Sequence, residues 1–87
     1  MNYCIYCMNS LPEGSSVCPH CLKSQDYNCP PHHLLPGTRL STNGRYVVGA
    51  SIGNGGFAIT YIAKDTILGT KVAIKEFFPS GFVTRSH

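Results

Sequence analysis

The second half of the chain carries three apolar runs separated by turn-forming residues. Residues 45–52 are rich in Tyr, Val and Ile, and residues 57–64 alternate: Phe57, Ile59, Tyr61 and Ala63 fall on one side, Ala58, Thr60, Ile62 and Lys64 on the other. A period of two predicts a half-buried β-strand. A third run spans residues 71–78 and is ended by Pro79-Ser80-Gly81. Gly53-Asn54-Gly55-Gly56 separates the first two runs, and Asp65 to Thr70 separates the second from the third. Strand, turn, strand, turn, strand predicts an antiparallel meander. No segment has the periodicity of an amphipathic helix.

The first half is different. Leu11-Pro12-Glu13-Gly14 has the residues of a turn, but Ile5 and Val17 supply only scraps of core. Residues 23–44 hold Pro30, Pro31, Pro36, Gly37 and Gly44 and few apolar groups beyond Leu34, Leu35 and Leu40. That composition predicts extended, partly stiff chain. Three units follow: a small hairpin-like module at 1–25, a Pro-rich linker at 26–38, and a β unit at 39–87. The expected fold class is small, mixed and mainly β.

Composition narrows the function. The chain has 87 residues, 43% hydrophobic and 13% charged, so it is not compositionally disordered, and no large buried core is possible. No apolar stretch approaches the roughly 18 residues that span a bilayer, and the start lacks the pattern of an export signal. The cytosol is the expected compartment. Residues 1–38 carry a net −1, from Lys23 against Glu13 and Asp26; the remainder carries +4. Neither a membrane-surface patch nor a nucleic-acid stripe is expected from so mild a balance.

All five cysteines lie in the first third: Cys4, Cys7, Cys18, Cys21 and Cys29. The first four form two C-x2-C pairs. In a cytosolic chain such pairs hold metal more often than they form disulfides, with a redox-active or disulfide-linked cluster as the alternative. A two-residue spacer lets both sulfurs of a pair face one ion, and two pairs supply the four tetrahedral ligands of a closed structural zinc site. A module this small cannot fold by burial alone; the metal must supply the difference, about 10–16 kcal/mol in comparable peptides. With four thiolates and one divalent ion bound, residues 1–38 fall to about −3, which disfavours nucleic acid further. Four thiolates leave no open position, so the expected zinc is not catalytic. His20, between two ligands, is expected to be a solvated side chain, although it could compete for the ion. Cys29 is expected to be a spectator unless exposure makes it reactive, and adjacent His32 and His33 are assigned to the linker.

Residues 4–21 resemble a short zinc ribbon of the kind found at the start of many bacterial proteins. These often read C-P-x-C-G in the second pair. Here Cys18-Pro19-His20-Cys21 matches, but Leu22 replaces the glycine and with it an easy left-handed conformation.

A glycine-rich turn lets backbone amides approach an anion, and twenty residues on Val72-Ala73-Ile74-Lys75 places a lysine on a strand. Residues 45–79 resemble the opening of a bacterial serine/threonine protein kinase of the eukaryotic-like type, whose members carry Gly-x-Gly-Gly-Phe-Gly-Ile-Thr-Tyr and Val-Ala-Ile-Lys-Glu-Tyr-Phe-Pro at these places. The resemblance implies the first three strands of a kinase small lobe, with Ile52, Gly53, Asn54, Gly55, Gly56, Phe57 and Ala58 forming the loop that covers the phosphates of ATP. Gly53 and Gly55 match its first two glycines, Phe57 its aromatic tip, and Ala58 stands where the third glycine belongs. Thr60 and Ala73 are implied to flank the adenine, and Lys75 to hold the α- and β-phosphates.

The helix glutamate, the catalytic-loop Asp and Asn and the Mg²⁺-binding Asp of a kinase would lie beyond His87. No catalytic residue is therefore assigned, and the chain alone is expected not to transfer phosphate; Mg²⁺ and a protein substrate belong to a complete kinase. Phe77, Phe78, Phe82 and Val83 are expected to leave an apolar patch and an open sheet edge, suited to a protein partner or to self-association. A non-enzymatic zinc-ribbon interaction module is the alternative reading.

Overall fold

The computed structural model describes residues 2–54 and 58–77. Among them every regular element is a strand. A two-stranded hairpin pairs β1 (Asn2–Tyr3) with β2 (Ser10–Leu11). A four-stranded antiparallel sheet runs in the order β3 (Arg39–Leu40), β4 (Tyr46–Asn54), β5 (Ala58–Asp65), β6 (Thr70–Phe77). No helix of the described residues is long and apolar enough to cross a membrane. The mainly β, antiparallel class expected from the alternation is the class observed.

Alternation fixes the sheet's inner face. Along β5 Ile59, Tyr61, Ala63 and Asp65 are buried and the residues between them half-buried. Registers Tyr61↔Ile74, Ala63↔Val72 and Val48↔Ala63 bring β6 and β4 residues to the same face. Val48, Ile59 and Tyr61 form the centre of this core, covered by Leu34 and Leu40. The 26–38 segment, expected to be extended, instead turns twice, with His33 N donating to Pro30 O and Thr38 N to Leu35 O, and His32 and Gly37 left-handed; it is also packed. Leu34 N donates to Tyr61 Oη (2.9 Å), and Gly37 N and Thr38 O bond Val48 at 2.7 and 2.9 Å. The Tyr61 hydroxyl in turn donates to Glu76 Oε1 (3.0 Å). One buried tyrosine therefore ties the proline-rich segment to β6.

One boundary and one element differ from the sequence expectation. The turn assigned to residues 53–56 begins later, because β4 continues through Gly53↔Thr60 and Asn54↔Ile59. Register shifts between Val48 and Ser51 and between Ser51 and Gly53 insert extra residues into β4, so its 9 residues pair with a shorter run of β5, Ile59 to Asp65, and the strand ends later in sequence. The sheet also has a fourth strand, β3, two residues long and too short to show any period. Gly55, Gly56 and Phe57, and the expectations placed on residues 78–87, lie outside the described residues.

The 65–70 turn forms as expected. Asp65 Oδ1 accepts from Ile67 N and Leu68 N (3.0 and 3.2 Å), Gly69 takes φ 72°, and the carboxylate receives Arg45 Nε and Nη2 at 2.9 and 2.8 Å. This two-pronged pair joins the residue preceding β4 to the end of β5.

Candidate metal centre and the sheet face beside it

Cys4-x-x-Cys7 and Cys18-x-x-Cys21 each form a tight turn. Met8 N donates to Cys4 O (3.0 Å) and Leu22 N to Cys18 O (2.8 Å). The residue after each pair is left-handed, Met8 at φ 63° and Leu22 at φ 65°. The absent glycine therefore does not change the knuckle; Leu22 adopts the conformation a glycine would take more cheaply. The Leu11–Gly14 turn also falls where its residues place it, with Gly14 at φ 80° and Ser15 N donating to Pro12 O. An isolated bridge, Val17↔Ser24, closes the second knuckle.

The two turns bring the four expected sulfurs together. Cys4 Sγ lies 3.6 Å from Cys21 Sγ, Cys7 Sγ 3.7 Å from Cys18 Sγ, and all four ligand atoms lie within 4.8 Å of one another. A tetrahedron of sulfurs around zinc, with Zn–S of about 2.3 Å, has edges of about 3.8 Å. The cluster fits such an ion in spacing and donor type.

Its surroundings favour thiolates. Tyr6 N and Cys7 N point at Cys4 Sγ (3.4 and 3.5 Å), and His20 N points at Cys18 Sγ (3.3 Å). Gln25 Nε2 donates to Cys4 Sγ and Asn9 Nδ2 to Cys7 Sγ, each at 3.3 Å. Burial of Cys4 opposes its ionisation, but the amides of Cys7 and Tyr6, the Gln25 side chain and the neighbouring Cys7 thiol outweigh it and bring the thiol down to about 6. Cys21 behaves oppositely. The Lys23 amide favours its thiolate, yet desolvation and the crowding of Cys4, Cys18 and Cys7 push it up to about 11. A divalent cation at the centre removes that mutual opposition, because every thiolate then faces positive charge.

Of the other residues weighed from sequence, His20 is exposed and outside the four-cysteine cluster. Cys29 is also outside it, half-buried, with its thiol 3.6–3.7 Å from the carbonyl oxygens of Pro30, His33 and Leu34. His33 stands edge-on to the Tyr61 ring, at 6.1 Å between centroids, in the packed segment. Gln25 went unnoticed in the sequence. It holds both Cys4 Sγ and Ile5 N (2.9 Å), and a lone glutamine four residues past a ligand gives no periodic signal.

Of the residues expected at a phosphate site, Gly53, Ala58, Thr60, Ala73 and Lys75 fall on the sheet's second face; Ile52 lies in the irregular stretch of β4, and Asn54 pairs with Ile59, a position of the inner face. Gly53 pairs with Thr60 and Thr60 with Lys75, forming one row across β4, β5 and β6. Ala73, two residues from Lys75, shares that face; Lys75 and Ala73 are exposed, Thr60 and Ala58 half-buried. The Lys75 side chain makes no hydrogen bond or ion pair among the described residues, while Glu76 turns to the inner face and Tyr61. The far end of this second face is occupied by the first knuckle, whose Met8 side chain and Ile5 carbonyl press on Gly49 beside Ile62. Beside that contact lies a cleft of about 390 Å³, lined by residues including Tyr3, Leu11, Pro36, Arg39 and Val47. Compared with known proteins, the chain matches no protein-family model, no curated protein and no solved structure.

Proposed function

We propose that this chain is the N-terminal part of a zinc-ribbon-containing serine/threonine protein kinase, contributing the ATP phosphate-binding loop and its lysine. The observation that carries the reading is the row Gly53, Thr60, Lys75. It places an uncommitted cation in register with the strand end that leads into the glycine-rich residues 55–57, and Ala73 on the same face offers a small apolar surface to a flat base. Lys75 neutralises phosphate charge; the backbone amides of the glycine-rich segment supply donors. Zinc, held by Cys4, Cys7, Cys18 and Cys21, cross-links the ribbon and takes no part in phosphoryl chemistry.

The second reading, a non-enzymatic protein-interaction module, is favoured by β6. It is the outer strand of the sheet among the described residues, and Phe77 is 74% exposed on it. An open edge beside an exposed aromatic suits strand addition by a partner. Titrating the zinc-loaded chain with ATP, followed by the intrinsic tyrosine signal or calorimetry, separates the two. Saturable binding that weakens at least tenfold in Lys75→Met supports the nucleotide reading. Absence of binding, or equal binding by Lys75→Met, overturns it in favour of the module.

A further inference from the structure

The ribbon meets the sheet along a short stretch of β4. Three consecutive residues there are each held, two by the first knuckle and the third by Tyr27, just beyond the ribbon. Gly49 accepts the Met8 side chain; any Cβ at 49 would overlap Met8 Cε and the Ile5 carbonyl oxygen. Ala50 N donates to Ile5 O at 2.9 Å. Ser51 N and Oγ both meet Tyr27 Oη at 3.3 Å. These are the residues where β4 departs from regular pairing with β5, between the register positions Val48, Ser51 and Gly53. The Ala50 amide therefore finds its partner in the knuckle, and Ala50 is only 1% exposed.

The groups making these contacts are placed by the sulfur cluster or packed against it. Ile5 lies between ligands Cys4 and Cys7, and Met8 follows Cys7 in a left-handed conformation that the closed knuckle imposes. Gln25 links Ile5 N to Cys4 Sγ. Tyr27 stands edge-on to Tyr6, inside the same knuckle, at 6.3 Å between ring centroids. Lys64 Nζ adds a bond from β5 to Met8 O (3.3 Å). A buried backbone donor must find a partner or be exposed to water. If the knuckle opens, the notch over Gly49 empties and the Ala50 amide is orphaned at the bulge that leads into Gly53.

We propose that the ribbon is a metal-dependent clamp on β4: metal occupancy of the Cys4–Cys7–Cys18–Cys21 cluster sets the order of the bulged stretch 49–51 and of the β5 segment paired with it. The coupling to the sheet stands on this geometry alone. Its consequence, tighter nucleotide binding by the metal-loaded chain, rests on the function proposed above.

Hydrogen exchange on the full chain tests the clamp. Peptides covering 47–54 and 58–63 are followed in three samples: zinc-loaded wild type, wild type with excess chelator, and zinc-loaded Met8→Asn. Asparagine accepts the left-handed conformation but cannot fill the notch, and a four-sulfur Co²⁺ absorption spectrum verifies that the variant keeps its metal site. The clamp requires exchange in both peptides to rise at least tenfold on chelation, and to rise in zinc-loaded Met8→Asn as well. Unchanged exchange after chelation, or a rise on chelation with zinc-loaded Met8→Asn matching zinc-loaded wild type, overturns it. ATP titrations of the same samples are read separately. Exchange that follows the metal without ATP binding in any sample refutes the nucleotide reading and leaves the clamp standing.

Discussion

Met8 and Leu22 occupy equivalent places after the two cysteine pairs, and both pay for a left-handed backbone, yet their side chains have opposite surroundings. Met8 is 2% exposed and Leu22 75%. A left-handed L-residue costs about 1–2 kcal/mol, so Leu22→Gly relieves strain while sacrificing little burial. The expected outcome is a gain of about 1 kcal/mol, or about 4–8 °C in the melting temperature of the zinc-loaded chain. Met8→Gly relieves the same strain but empties the notch at Gly49, and its melting temperature should fall. Gln25 shows a third case, a residue outside the four-cysteine cluster that holds the Cys4 sulfur. Loss of such partners commonly weakens metal affinity about 10–100-fold, and chelator competition on Gln25→Ala should find a drop in that range. The pH dependence follows with a definite sign. Hydrogen bonds to Cys4 hold its thiol down at about 6; removing one raises it, so protons displace the metal from Gln25→Ala at a higher pH than from wild type, as a Co²⁺ absorbance titration would record.

At the scale of elements, the Arg45–Asp65 pair closes the end of the β4–β5 ladder, with Asp65 buried and Arg45 a third exposed. The Arg45 hydrogen bonds, opposed by desolvation and aided by the Leu68 and Ile67 amides, hold the Asp65 carboxyl down at about 2 against an ordinary 3.8. A depressed carboxyl contributes its stability fully above the unfolded value and loses it as pH falls through the folded one. Urea midpoints of wild type and Asp65→Asn should therefore differ by a constant amount above about pH 4 and converge toward pH 2. Alternation made β5 legible in the sequence, and the Asp65–Thr70 turn was legible because its residue types have only a few uses. The grouping of the four cysteines could be read from their spacing alone. What could not be read is how the units meet: β3 is too short to carry a period, the β4 bulges shift the strand end without any compositional sign, and nothing local marks Gly49 as the seat of Met8. Proline content describes a stiff linker equally well whether it is free or, as here, laid over Tyr61.

At the scale of the whole molecule the sheet has a cover on each face, the 26–38 segment on one and the first knuckle on part of the other. Neither cover is a strong fold by itself. The ribbon has scraps of core, and the meander's centre is essentially Val48, Ile59 and Tyr61 with Leu34 and Leu40. Two marginal units that satisfy each other's backbone groups, as Ile5 O and Ala50 N do, should unfold together, because opening either one removes partners from the other. With Co²⁺ in place of zinc, loss of the sulfur charge-transfer band reports the ribbon and far-ultraviolet circular dichroism reports mainly the sheet. The two melting curves should coincide in wild type. Gly49→Ala forces the knuckle off β4 while leaving all four ligands intact; overpacking of this kind costs about 1–3 kcal/mol. In that variant the curves should part, the sheet signal changing at the lower temperature while the metal band persists. Coincident curves in Gly49→Ala would mean that cooperativity runs through the 26–38 segment instead, and that Tyr61, held by Leu34 and Glu76, is the true joint.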